Sequence, residues 1–272
     1  MKLDRLKVIT VSFCSLLVFV VTATGEIKKI PDGKLRVVVC DVGQGDAIYI
    51  KTPQGKNFLI DGGPGDQVLT CLGREIPFWD RRISAVFLTH PQADHMNGLL
   101  SVSSHYQIGH LFVGSGSNAP VYLSLIKKVR PEKLSAGDRI RADSGVILSV
   151  LSPEESKMAP NDENELSLVL LLEEPGRFRG LFAGDAPAKT QSEILSANPD
   201  LCCLDLLKIA HHGSRTGLAI DVLRVLTPKI AAISVGKDNQ FGHPNKEVLE
   251  ALNKIGAKIE RTDVEGDIVV EK

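Results

Sequence analysis

From Leu35 onward, short apolar runs of strand length alternate with longer stretches in which apolar residues recur every three or four positions. LRVVVC (35–40), DAIYIKT (46–52) and KNFLIDGG (56–63) are rich in β-branched and aromatic residues and bounded by Gly and Pro, so they predict three strands. QVLTCLGREIPF (67–78) predicts a helix and ISAVFLTH (83–90) a buried strand. The style continues with a helix over 97–106, a strand over 110–114 and a helix over 121–130. The second half repeats it, with strands over 146–152, 166–173 and 179–185. Helix and strand patterns then alternate through 189–197, 204–213, 221–226, 229–236, 246–256 and 258–263. Two β-rich halves followed by αβ units predict two sheets packed face to face with helices outside. No low-complexity linker divides this body.

The first 25 residues follow another rule. A cationic start, MKLDRLK, precedes a stretch from Val8 to Gly25 with no charged residue, and Ala23, Thr24 and Gly25 are small. This is the pattern of an export signal, and its apolar core also reaches the length of about 18 residues at which a helix can span a bilayer. Residues 1–25 are therefore expected to be a cleaved signal peptide or an uncleaved membrane anchor. Residues 26–272 form the working body, expected to be secreted, periplasmic or anchored outside the cytoplasmic membrane.

Composition narrows the picture only a little. A chain of 272 residues with 43% hydrophobic residues can bury the core of an enzyme. The formal net charge of −1 excludes a globally basic nucleic-acid coat, although a local basic cleft would not register in that sum. Cys40, Cys71, Cys202 and Cys203 match no structural zinc spacing and are expected to be small buried hydrophobes without a disulfide framework.

The candidate chemistry lies at the ends of the strands. Asp61 closes FLIDGG, and His90, Asp94 and His95 follow AVFLTH. Asp185 closes LFAGD, His211 and His212 close LLKIAHHG, and His243 follows AISVG. One such residue is a common turn or a solvated histidine. Five strand ends carrying them toward one rim make a shared metal site the economical reading.

THPQADH, FAGD and HHGS resemble the metal-binding motifs of the metallo-β-lactamase superfamily. DVGQGDA, LIDGG, GREIPFWDRRI, NELSLVLLL, LLKIAHHGSRTG and ISVGKDNQFGHP narrow the resemblance to the C-terminal domain of competence DNA-uptake proteins of the ComEC type and to related stand-alone hydrolases. The resemblance runs from about Leu35 to the end and implies an α/β fold, a four-layer αββα sandwich with metal at one rim. It implies one or two divalent ions, zinc or manganese, and His90, Asp94, His95, Asp185 and one histidine of HHGS as ligands. Imidazole and carboxylate groups suit these metals, and an open coordination position lets bound water act as nucleophile, so no Ser or Cys nucleophile is required.

Asp94 would also handle the proton of the attacking water, and Asp185 would bridge two ions. From an extended strand His211 and His212 point opposite ways. His211 is the favoured ligand, leaving His212 for catalysis together with His243. Asp61 is expected to orient a ligand, and Ser214, Arg215, Thr216 and Lys237 to offer donors to a phosphate.

Two positions depart from the superfamily pattern. Gln92 stands where it carries histidine, and Asn164 where a further histidine is usual, so one ion is expected to be held firmly and a second poorly. The implied function is an exported metal-dependent phosphodiesterase or nuclease acting on DNA. The alternatives are a hydrolase of another ester, lactone or thioester, and a degenerate binding module.

Overall fold

The computed structural model describes residues 24–114, 129–155, 162–217 and 219–272. Residues 1–23, and all but the last two positions of the helix expected over 121–130, lie outside that set.

The first sheet is built from β1 (Arg36–Val39), β2 (Ile48–Lys51), β3 (Asn57–Ile60), β4 (Arg82–Leu88), β5 (Gln107–Gly114), β6 (Pro131–Leu134) and the last strand of the chain, β14 (Ile268–Glu271). Its order is β14-β1-β2-β3-β4-β5-β6. The second sheet runs β13 (Lys258–Arg261), β12 (Ile230–Ile233), β11 (Leu206–Lys208), β10 (Phe178–Phe182), β9 (Val169–Glu174), β8 (Ile147–Ser152) and β7 (Arg139–Arg141). In each sheet one half is antiparallel and the other parallel, with the change of direction at β3 and β4 in one and at β10 and β11 in the other. Parallel neighbours send their C-terminal ends to the same rim, and that is where the polar residues collect.

Period-two alternation assigns the faces. Val37, Val39, Phe58, Ile60 and Phe87 point between the sheets, where they meet Leu148, Val150, Leu170, Leu172 and Phe182. Val38, Leu59, Val86 and Leu88 point outward under α1 (Gln67–Glu75) and α2 (Ala93–His105). Leu207, Ala231 and Ile233 do the same under α3 (Ala188–Ala197), α4 (Ile220–Leu226) and α5 (Lys246–Lys254). The result is the expected αββα sandwich. Helix α1 ends before Pro77, three residues earlier than the apolar pattern suggests, because proline removes a backbone donor. Among the described residues no helix is long and apolar enough to cross a membrane.

Cys40 and Cys71 correct the sequence reading. Both are fully buried among apolar neighbours, but they form a disulfide that ties the end of β1 to α1, with Cα atoms 5.8 Å apart and a sequence separation of 31. The spacing gave no sign of the bond because the packing of α1 on the sheet makes the contact. Closing a loop of this length stabilises by about 3 to 4 kcal/mol through the unfolded chain. Reduction of the folded protein, or Cys40→Ser, is expected to lower the urea-unfolding free energy by that order. Unchanged stability, or two extra titratable thiols in the untreated protein, would contradict the bond.

Candidate metal centre

The loop between β1 and β2, DVGQGD, crosses from the first sheet to the second at the rim. Ser234 Oγ donates to Gly45 O (2.5 Å) and Gly236 N to Gln44 Oε1 (3.1 Å). Gly45 has φ +151°, and a Cβ there would lie 2.2 Å from Asp94 O, so only glycine fits. Asp46 N donates to Asp94 O (3.1 Å), which fixes the first turn of α2 against this loop. Helix α2 begins at Ala93, earlier than expected, so Asp94 and His95 sit on its first turn rather than on a loop.

Hydrogen bonds determine how the histidines point. Asp61, at φ 58°, accepts Thr89 N on Oδ1 (2.7 Å). Its Oδ2 accepts Thr89 Oγ1 (2.7 Å) and lies 2.8 Å from His95 Nδ1. A carboxylate only accepts, so His95 carries its hydrogen on Nδ1 and turns Nε2 toward the centre. The single hydroxyl hydrogen of Thr89 goes to Asp61, so Thr89 Oγ1 must accept from His90 Nδ1 (3.0 Å), which presents His90 Nε2 as well. His212 Nδ1 donates to Ser234 O (2.9 Å) and likewise presents Nε2.

Asp185, at the end of β10 and 1% exposed, stands among these nitrogens. Its Oδ1 is 3.4 Å from His95 Nε2, and its Oδ2 is 3.7 Å from Nε2 of both His212 and His211. Asp94 Oδ2 stands at the open side, 3.4 Å from His212 Nε2 and 3.9 Å from His95 Nε2. Asp46 and Asp61 face the Nδ1 atoms from behind, whereas Asp94 and Asp185 face the Nε2 atoms from in front.

This cluster fits a divalent cation. Nε2 of His90, His95 and His212 and both oxygens of Asp185 are buried without a hydrogen bond. Such atoms are costly unless something positive or donating meets them. Ligand atoms of His90, His95 and Asp185, and of Asp94, His95 and His212, lie within 4.8 Å of one another in each group. The charges agree. Four carboxylates (Asp46, Asp61, Asp94, Asp185) face one ammonium, Lys208, and with neutral imidazoles the balance of 4 against 1 leaves three negative charges.

Burial disfavours charged His95, but Asp185 and Asp61 outweigh it and push the pKa well above the usual imidazole value. His212 is pushed up to about 9 against its own burial, by Asp185 and Asp46. Burial opposes ionisation of Asp185, yet His95 and His212 hold it well below the usual carboxylate range. Nε2 of His95 and Nε2 of His212 thus each bind either a proton or a cation. Burial, with His95 adding to it, lowers His90 to about 3 and leaves it a neutral donor of a lone pair.

The two histidines of HHGS are placed the other way round from the sequence expectation. They do not lie on an extended strand: β11 ends at Lys208, and His211 and His212 turn in the left-handed region at φ 51° and 53°. The turn buries His212 in the cluster and leaves His211 on the open side, where Nδ1 meets Thr216 Oγ1 at 3.0 Å. His243 is half-buried, its ring 6.0 Å from that of His211, and Asn239 holds its backbone N and O. Ser214 Oγ turns to Thr216 Oγ1 (3.0 Å). Lys237 is exposed, and among the described residues no hydrogen bond or ion pair joins it to the cluster.

Gln92 and Asn164 meet each other: Gln92 Nε2 donates to Asn164 Oδ1 (3.0 Å). The two departures from the histidine pattern thus form one amide pair beside His90.

Lys208 and Thr89 went unnoticed in the sequence. Lys208 is fully buried and pairs with Asp46 Oδ2 beneath the cluster. Its signal was a lone charge inside the apolar run LLKIA, a residue type almost never buried unless paired. Thr89 carried no signal beyond adjacency to His90.

An αββα sandwich with a cluster of histidine and aspartate at the C-terminal rim of its two sheets defines the class of metallohydrolases. The model of the β-lactamase superfamily domain matches residues 56–258, and the chain belongs to that superfamily. It is related to competence proteins. It is 29% identical over 260 residues to ComE operon protein 3 of Bacillus subtilis, covering 85% of this chain and 32% of that protein. Recombination protein 2 of Haemophilus influenzae is 26% identical over 284 residues, covering 99% of this chain and 33% of that protein. The chain therefore spans about a third of the length of these relatives. Among solved structures, Igni18, a metallo hydrolase of the archaeon Ignicoccus hospitalis, shares the fold with a TM-score of 0.57 at 14% identity, over 86% of this chain and 98% of that one.

Proposed function

We propose that this hydrolase is an exported, metal-dependent phosphodiesterase that cleaves DNA. The observation that carries the reading is the buried set of three imidazole Nε2 atoms and the Asp185 carboxylate, unsatisfied by any hydrogen bond, at a rim with one open side. His90, His95, His212, Asp185 and Asp94 would hold the ion, zinc or manganese. When bound, a divalent metal supplies Lewis-acid activation of water and stabilises charge developing on a phosphoryl group.

The residues of the chain do the rest. Asp61 and Ser234 fix the imidazole orientations, and Asp46 with Lys208 sets the charge behind them. Asp94 Oδ2 faces the histidines, leaving Oδ1 to receive the proton of the attacking water. His211 and His243, whose rings lie 6.0 Å apart on the open side, would bind a non-bridging oxygen or give a proton to the leaving group. One of the relatives is a recombination protein, which favours DNA over other phosphodiesters. Export is supported by the uncharged stretch from Val8 to Gly25 and by the Cys40–Cys71 disulfide, a bond that persists in oxidising compartments.

The test is the protein reloaded with zinc or manganese after chelation, assayed on single-stranded DNA, a chromogenic phosphodiester and a panel of lactones. Cleavage of the first two, abolished by chelation and restored by metal, is expected. Turnover of a lactone without cleavage of DNA would replace the reading with that of an ester or lactone hydrolase. Metal uptake without turnover of any of them would leave a binding module.

A further inference from the structure

Four of the large apolar side chains left in water gather where the described chain begins. Ile27, Ile30, Phe78 and Trp79 are 60%, 46%, 66% and 54% exposed. The rings of Phe78 and Trp79 meet edge to face at 5.0 Å. Their turn is held from behind: Asp80 N donates to Pro77 O (2.9 Å), Asn57 Nδ2 to Asp80 Oδ2 (2.9 Å) and Arg82 N to Asp80 Oδ1 (3.0 Å). The segment carrying Ile27 and Ile30 is pinned to the same turn, because Phe78 N donates to Glu26 Oε2 (2.8 Å) and Lys29 Nζ to Gly73 O (2.8 Å). Ile30 and Trp79 line one groove with Pro31, Lys51 and Pro77. Lys28 and Arg81 are exposed beside it. Two aromatic rings fixed in water by three hydrogen bonds are a costly arrangement unless something covers them.

We propose that this patch is a membrane-contact surface, with Ile27, Ile30, Phe78 and Trp79 at the lipid headgroup level and Lys28 and Arg81 against anionic headgroups. The proposal rests on reading Val8–Gly25 as an uncleaved anchor. That stretch ends two residues before Ile27, a reach of about 7 Å at most, so an anchor that spans the bilayer delivers the patch to its surface. Trp and its neighbours suit that layer because one side of the indole is apolar and its N–H seeks water, and basic residues gain from the negative surface potential.

The patch also orients the molecule. Strands β3 and β4 start beside it, at Asn57 and Arg82, and end just before Asp61 and His90. Seven residues of strand carry the metal centre about 23 Å from the bilayer, well beyond the screening length of about 8 Å. A polyanionic substrate then reaches the rim without meeting the negative membrane surface.

Trp79 is the single tryptophan of the chain, so its fluorescence reports on the patch alone. The full-length protein would be reconstituted into phosphatidylglycerol–phosphatidylethanolamine vesicles, with and without brominated acyl chains, and floated on a density gradient. The expected result is co-flotation, loss of most Trp79 emission in brominated vesicles, and protection from iodide in unbrominated ones. Phe78→Asp should keep flotation and metal uptake but open Trp79 to iodide. Co-flotation with Trp79 open to iodide and blind to bromolipid would overturn the contact surface while leaving the anchor standing. Protection from iodide without bromolipid quenching would assign the patch to a second copy of the chain, and failure to float would remove the anchor and the proposal with it.

Discussion

Asp94→Ala lowers phosphodiester cleavage by about 1000-fold, the factor expected from losing about 4 kcal/mol of transition-state stabilisation at a metal-assisted step, and changes DNA affinity far less. The reason is its position. Asp94 is the one carboxylate of the cluster with part of its surface open, it faces Nε2 of both His95 and His212, and its backbone is locked to Asp46. Gln92→Asp acts in the opposite sense. It breaks the amide pair with Asn164 and adds a charged oxygen beside His90, so it raises affinity for a second ion and leaves cleavage equal or higher. Single-turnover cleavage of single-stranded DNA and calorimetric metal titration of both variants measure the two effects. Unchanged cleavage in Asp94→Ala would end the nuclease reading.

Lys208→Met costs about 3 to 5 kcal/mol of folding free energy, because it leaves Asp46 charged and fully buried without its ammonium partner. Burial alone would raise the pKa of Asp46, and it is Lys208, with His212 and His95, that holds the carboxyl below its ordinary range. The double variant Asp46→Asn with Lys208→Met removes both charges and is expected to recover most of the loss. Urea unfolding of the two variants decides the matter. If Lys208→Met alone is as stable as the parent, the pair does not hold the floor of the site.

The chain was readable wherever the controlling geometry is local. Val37 and Val39 face one way and Val38 and Cys40 the other because successive side chains of a strand alternate, so strands, faces and the layered sandwich followed from the pattern. His90, Asp94, His95 and Asp185 were legible as candidates because each follows the end of a strand, β4 in the first sheet and β10 in the second, and parallel strands within each sheet end at one rim. The amides Gln92 and Asn164 were visible as departures, and their pairing was not.

What the order of residues could not carry was which distant segments meet and how single residues turn. Strand β14 closes the first sheet by pairing with β1 across almost the whole chain, and Lys208 finds Asp46 162 positions away. Cys40 reaches Cys71 only because α1 lies on the sheet. The choice between His211 and His212 hung on two left-handed residues and on Ser234, a partner from another part of the second sheet. The periodicity of a strand or helix is imposed by covalent geometry and repeats in every copy of the pattern. The partner of a buried charge or thiol is selected only when all the layers pack at once, so it was decided by the tertiary structure.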